Sequence, residues 1–393
     1  MSSIAQVPIC EVAEINPSFQ TENRSGDELV DFLPMAAVDE ADSLSFAKEV
    51  RSLTDVMKGY TSFSDGDVLL AKITPCFENG KITQIRLKHR LGFGSTEFHV
   101  LRPHSDRLDG RYLVHFLRCD QVRVNGERRM TGSAGQRRVP RQFLESLLIP
   151  LPPLPEQRRI AAILDKADAL RAKRREALAE LDQLTQSIFI EMFGNIQTIH
   201  NNWPVKPLGE MLDFLTSGSR GWAQHYTDSG DLFLRIQNVR HDELDLSDVA
   251  YVSAPDSAEA KRTKVHEGDV LLSITADLGR SAVVPKDIGK AHINQHLSIL
   301  RTKSLVPRYL SAFIASPAGQ IEVMGRNKQG VKAGLNFDDI KSFRIPVPPR
   351  HLQRDFAMRV EKVGKQIRIH GHSVTELDSL FTSLQHRAFR GEL

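Results

Sequence analysis

The chain has 393 residues, 40% of them apolar, which is enough for two or three domains with sizeable cores and excludes a disordered tail. Its 52 basic and 49 acidic residues leave a formal charge of +3, so any basic surface must be local. Cys10, Cys76 and Cys119 form no CxxC pair, no apolar run reaches the roughly eighteen residues of a membrane span, and the start, MSSIAQVPIC, lacks a signal peptide's basic end and apolar stretch; a cytoplasmic protein is expected.

Read in chain order, the sequence repeats itself. Phe32-Leu33 returns as Phe233-Leu234, GDVLLAKIT at 66–74 as GDVLLSIT at 268–275, and TEFHVLRP at 96–103 as NQHLSILRT at 294–302. Arg111-Tyr112-Leu113 returns as Arg308-Tyr309-Leu310, and IPLPP at 149–153 as IPVPP at 345–349. The order is kept throughout, so the protein is two copies of one module. Each copy opens with short apolar runs such as VLLAKI and EFHVL, broken by GD, NG and GS turn signals, which predicts strands with some helix around YLVHFL. The proline phrase then makes a stiff extended exit, because each proline fixes its own φ and pushes its predecessor out of the α region.

From Glu156 to about Phe193 there is neither proline nor glycine, which predicts a long helix. Ile160, Ile163, Ala167, Leu170, Ala177, Leu181, Leu184 and Ile188 fall on a heptad stripe. Phe356, Val360, Val363, Ile367, Val374, Leu377, Phe381, Leu384 and Ala388 repeat it in the second copy, where Gly364 and Gly371 weaken the helix. The economical pairing is an antiparallel coiled coil, a rod of roughly 57 Å at ~1.5 Å per residue. The expected fold is therefore α+β: domains at 1–152 and 196–348, a central helix at 153–195 and a C-terminal helix at 349–393.

Several motifs invite a catalytic reading and fail. NPSF at 16–19 has the form of an adenine methyltransferase loop, but no Gly-rich turn would cradle a methyl donor. DEAD at 39–42 has no phosphate loop to serve. His292 and His296 have an i, i+4 spacing, yet they lie in AHINQHLSIL, which predicts a strand and lacks the glutamate of HExxH. What remains is chemistry for phosphates and base edges. Between 118 and 141 seven arginines stand against Asp120 and Glu127, a local charge of +5 around the loop RRMTGSAGQRR. Guanidinium groups suit guanine and glutamine suits adenine. Candidate DNA-binding residues are Lys72, Arg128, Arg129, Gln136, Arg137 and Arg138 in the first copy. In the second they are Ser219, Arg220, Trp222, Arg235, Gln237, Asn238, Arg280, Arg326, Lys328 and Lys332.

The ordered phrases GSTEFHVLRP, GSAGQRRVP and IPLPPLPEQRRIAAILDKADALR, with SGSRGWAQHY through NQHLSIL, resemble the specificity subunit of type I restriction and modification enzymes over essentially the whole chain. The resemblance implies two target-recognition domains, each reading half of a split, asymmetric sequence of double-stranded DNA. It implies two methyltransferase subunits and two restriction-translocase subunits as partners, which would carry S-adenosylmethionine, ATP and magnesium, while this chain is non-catalytic and holds no cofactor. Glu156, Gln157, Arg158, Gln353 and Arg354 become candidates for subunit docking, although Glu156 has no second-copy counterpart while Gln157 matches Gln353. Two other classes stay open: a coiled-coil adaptor with β-rich binding domains, which would lack the steep salt dependence of phosphate contacts, and a self-contained DNA-modifying enzyme.

Overall fold

The computed structural model describes residues 4–18, 25–133, 135–326 and 334–393. The chain forms two compact units, Met1–Glu176 with His370–Leu393, and Ala177–Ile369. Both of the long helices foreseen in the sequence are present, at Leu154–Phe193 and Arg350–Arg390, and the division cuts each of them, so every unit owns half of each helix.

In the first unit a five-stranded sheet has the order Ala13–Ile15, Phe98–Pro103, Val68–Ala71, Ile82–Arg86, Leu44–Phe46. Its neighbours are antiparallel except the last pair. A second sheet orders Glu49–Ser52, Leu29–Leu33, Leu91–Gly94 and Thr61–Ser64. Val68–Ala71 is buried at every position, which is why the sequence shows a continuous apolar run there and not an alternating one. Helices Gly110–Leu117 and Asp120–Arg128 close the core over Ile9, Tyr112 and Phe143.

The second unit repeats this plan with Leu212–Ser217, Leu297–Thr302, Val270–Ser273 and Ser281–Val283 in one sheet. Asp231–Leu234 lies parallel to Ala291–Ile293 in the other, as Leu29–Leu33 does to Leu91–Gly94 in the first unit. The stretch AHINQHLSIL is therefore not one strand. It is two strands separated by a turn at 294–296, with the two histidines apart.

The repeated phrases turn out to be the frame. Asp67 takes a bidentate bond from Arg102, at 2.9 and 2.7 Å, and Asp269 takes the same from Arg301, at 2.7 and 2.8 Å. Tyr112 donates to the Pro150 carbonyl at 2.9 Å and Tyr309 to that of Pro346 at 2.7 Å, and both hydroxyls are pushed well above the usual tyrosine range by burial. Short strands bring Gln6–Pro8 onto Leu148–Pro150 and Val205–Pro207 onto Arg344–Pro346, so each proline phrase leaves beside the start of its own module.

Within the first unit the helix halves run antiparallel: Arg159 donates to the Leu393 carbonyl at 2.8 Å, while Arg171 and Arg175 reach Asp378 at 2.6 and 2.7 Å. In the second unit Phe189 and Phe193 pack on Phe356, with ring centroids 5.6 and 5.5 Å apart. The apolar seam is less continuous than its spacing implies. Leu170 is 50% and Leu184 39% exposed, whereas Ile160, Leu164, Phe189, Phe356, Phe381 and Ala388 are buried in the two globular cores. Midway along the first unit's pair an ion pair and a cation stacked on a ring, Arg171 over Phe381 at 4.3 Å, stand where a heptad would put aliphatic contact. No helix among the described residues is long and apolar enough to cross a membrane.

Candidate nucleic-acid interface

The basic loop of the first unit is a hairpin stitched to the sheet. Thr131 and Arg138 exchange backbone hydrogen bonds at 3.0 and 2.8 Å, Thr74 N–H donates to the Arg137 carbonyl, and Val139 N–H donates to that of Lys72. Gly132 and Gly135 turn the tip at φ +124° and +79°, and a Cβ on Gly132 would stand 2.7 Å from the Gln136 carbonyl oxygen; only glycine fits that close approach. Gln136 at the tip is exposed, as are Arg128 and Arg129 at the end of the preceding helix.

The two neighbouring arginines differ. Arg138 is committed to a bidentate pair with Glu97 at 2.8 and 2.9 Å, and this guanidinium holds the Glu97 carboxyl below its usual range. Arg137 stands 3.6 Å from Glu78 and 3.9 Å from Glu127 and keeps its donors freer for an external acceptor. Lys72 lies at the foot of the loop, its N–H on the Glu97 carbonyl.

The second unit places the sequence candidates less uniformly. Ser219 and Arg220 sit in the loop after Leu212–Ser217, with Arg220 exposed. Trp222 is not at the surface: it is 4% exposed, packed between Phe233 and His292 with centroids at 5.1 and 4.9 Å, a core aromatic and not a stacking platform. Asn238 is likewise interior at 2%, its side chain spent on the Arg235 N–H and on the carbonyls of Asp245 and Asp248. Arg235 and Gln237 both approach Asp248, and Arg280 is paired with Asp277. Arg326 is tied to Glu322 and Ser342. Lys328 and Lys332 lie outside the described residues, as does Phe19 of NPSF.

The docking candidates also divide. Gln157 is fully buried; its Oε1 accepts from Asp109 N–H at 2.9 Å and its Nε2 donates to the carbonyls of Arg107 and Pro152 at 2.9 and 2.8 Å. Gln353, 1% exposed, does the same with Val306 N–H and the Pro348 carbonyl, both at 2.8 Å. Both glutamines are brackets fastening a helix start to its own module, so neither can meet a partner. Arg158 and Arg354 are exposed, and Glu156 is engaged by Arg159 at 2.7 Å.

Residues that the sequence did not place among the DNA-binding candidates become visible through the duplication. Lys72 N–H bonds the Glu97 carbonyl and Ile274 N–H bonds that of His296, so Glu97 and His296 hold one backbone position in the two units. The first presents Glu97 with Arg138; the second presents His296, hydrogen-bonded to Thr275 at 2.5 Å and Gln295 at 2.9 Å. Gly334 bridges Thr275 where Arg138 bridges Ile73. Two modules with the same frame thus offer different polar groups at the same place. His292 points elsewhere, 3.5 Å from Asp231, and its imidazole is held below the ordinary histidine value chiefly by burial. Among the described residues no group of three or more His, Cys, Asp or Glu could hold a metal.

Comparison with known proteins agrees with the duplication. The family model described as "Type I restriction modification DNA specificity domain" matches twice, over 5–182 and 201–378. The EcoAI type I restriction enzyme specificity subunit of Escherichia coli is 37% identical over 202 residues, half of this chain and 34% of that protein, so the match spans about a third of that relative's length. The EcoKI specificity subunit of Escherichia coli K12 is 25% identical over 344 residues, 80% of this chain and 72% of that one. The fold is similar to that of a chain solved in work on complex assembly and conformational transition of the type I R-M system, at TM-score 0.60 and 21% identity, covering 100% of this chain and 99% of that one.

Proposed function

Because the chain belongs to the type I restriction modification DNA specificity family, we propose that it is the sequence-reading subunit of such a system: each unit recognises half of a split, asymmetric site in duplex DNA, and partner subunits do the chemistry. The observation that carries this reading is the pairing of a duplicated frame with divergent polar surfaces. Asp67–Arg102 and Asp269–Arg301, or Gln157 and Gln353, keep two modules alike, while Glu97–Arg138 and His296–Gln295 make the same position different. A protein that bound one symmetric ligand would have no reason to diverge there; one that reads two unlike half-sites must. Arg128, Arg129, Gln136 and Arg137 supply the first unit with donors that suit guanine, adenine and phosphate, and Arg220 with the His296 cluster supplies the second.

Two methyltransferase subunits and two restriction-translocase subunits are the proposed partners, working in the cytoplasm, with S-adenosylmethionine, ATP and magnesium held by them. Arg158 and Arg354, exposed at corresponding places in the two helix starts, are the remaining docking candidates. The test is a module exchange. Replacing residues 202–346 by the equivalent of a relative, followed by methylation-sensitive sequencing of host DNA, changes one half of the methylated sequence and keeps the other. Simultaneous loss of both halves refutes independent reading. Binding that is insensitive to salt refutes phosphate contact altogether.

A further inference from the structure

The two modules share a second feature, a cleft where the globular part meets the helices, and the two clefts differ in charge. In the first unit it is a cavity of about 370 Å³ whose lining includes Arg118, Arg123, Arg171 and Arg175, against the carboxylates Glu40 and Asp120. Its twin in the second unit, about 190 Å³, includes Asp182, His241, Asp242 and Ala315 and no arginine. The correspondence follows from the repeat. Counting from Tyr112 and Tyr309, Arg118 stands where the second copy has Ala315 and Arg123 where it has Gln320. Arg123 donates to the Glu78 carbonyl at 2.8 Å as Gln320 donates to that of Gly279 at 2.9 Å. Counting from Gln157 and Gln353, Arg171 and Arg175 answer to Ile367 and Gly371. Four guanidinium groups therefore belong to one cleft alone, so the shared frame does not require them.

Their pairing is incomplete. Asp378 is shared between Arg171 and Arg175, Asp168 serves Arg171, and Asp120 serves Arg123. Among the described residues Arg118 donates only to two carbonyls, those of Ile82 at 3.0 Å and Glu40 at 2.7 Å, which leaves most of its five donors. Burial, together with the nearby Arg123, Arg171 and Arg111, pushes its guanidinium below the ordinary value, opposed by Asp168. Arg123 Nε is buried with no hydrogen-bond partner among the described residues. Four guanidinium groups lining one cleft, with Arg118 reaching no carboxylate and Arg123 Nε no acceptor among the described residues, fit a doubly charged oxyanion, whose oxygens take bidentate bonds from arginine.

We propose that this cleft of the first unit binds a phosphate group, and that its twin in the second unit does not. The phosphate has two possible sources, the backbone of a bound duplex or a free phosphate compound. Glu78 links the cleft to the reading loop, since Arg123 bonds its carbonyl, Thr74 bonds its carboxylate at 2.7 Å, and Arg137 lies 3.6 Å from it. A duplex read by Arg137 would pass near; a free phosphate needs no such reading, so the site stands or falls apart from the proposed function.

The full chain is titrated with inorganic pyrophosphate by calorimetry and with a nonspecific duplex across a salt series. Arg118→Ala copies the twin. Arg175→Gln, at a 41% exposed side chain, guards against a folding defect in the first, and Arg175→Lys tests rescue by charge. If the source is free phosphate, pyrophosphate affinity falls at least tenfold in Arg118→Ala and Arg175→Gln and recovers in Arg175→Lys. If the source is the duplex, the log–log salt slope falls by about one in the same variants, with sequence preference kept. Unchanged pyrophosphate binding and unchanged salt slope in folded Arg175→Gln overturn the proposal. So does a variant that keeps both but no longer co-purifies with a methyltransferase subunit, which would assign the cleft to a protein carboxylate.

Discussion

Replacing Gln157 by leucine tests whether the repeated glutamine is a bracket or a docking contact. The side chain makes three hydrogen bonds, at 2.9, 2.9 and 2.8 Å, and is fully buried. Leucine fills a similar volume but leaves the Asp109 N–H and the carbonyls of Arg107 and Pro152 without their partner. Three lost bonds at about 1 kcal/mol each, with part of the roughly 1–3 kcal/mol cost of each stranded buried group, give a loss of roughly 3–6 kcal/mol. That is a large share of the about 5–15 kcal/mol that holds a domain folded. The readout is native-state hydrogen exchange at the Asp109 amide, with Gln353→Leu and the Val306 amide as the twin measurement in the other unit. Each substitution accelerates exchange in its own unit and spares the other. A Gln157→Leu chain with unchanged exchange but weakened binding to a partner subunit would refute the bracket.

Further outcomes follow from other side chains. Burial pushes the Asp242 carboxyl up to about 6 despite Arg308 at 2.9 Å; an acid raised in the folded state costs stability as pH climbs from about 4 to 6, so Asp242→Asn stabilises the second unit by at most about 3 kcal/mol at pH 7 and by nothing at pH 4. Its φ of +62° suits asparagine, and denaturant melts at the two pH values check the sign. Arg138→Ala releases Glu97, whose carboxyl titration then moves back up towards its ordinary range by NMR. Arg137→Ala leaves stability alone and weakens DNA binding by about 1–3 kcal/mol, relaxing one position if the contact is to a base and none if it is to a phosphate. Trp222→Ala removes a core ring and costs roughly 3–5 kcal/mol of second-unit stability, visible as a lowered melting temperature.

The frame was legible from sequence because duplication prints it twice: Gly66-Asp67 against Gly268-Asp269, Tyr112 against Tyr309. The first long helix was legible because proline and glycine are absent from 156–193, and the second, despite Gly364 and Gly371, because it repeats the apolar stripe. The interface was read less well, for a physical reason. Polarity in a sequence says that a side chain needs partners, not whether those partners are inside the protein. Gln157 and Asn238 find theirs in backbone groups that only the fold brings close, and Arg138 finds Glu97 across 41 positions. Trp222 and Tyr226, four residues apart, look alike in composition, yet the first is 4% and the second 48% exposed. His296 and Glu97 have no common chemistry and become counterparts only through the amide each receives.

The first unit's core draws on both ends of the sequence. Ala388 is buried with Ile9 and Tyr112, Phe389 packs on the rings of Tyr112 and Phe116 at 5.1 and 5.3 Å, and Gln385 caps the His115 carbonyl at 2.9 Å. During synthesis the first unit is therefore begun before the second but finished after it. It must wait, with that apolar face uncovered, until residues beyond 370 emerge from the ribosome, whereas the second unit already has all its parts. A premature stop near residue 370 would consequently injure the half of the protein farthest from it in sequence, and the nascent chain has reason to need a chaperone over just that interval.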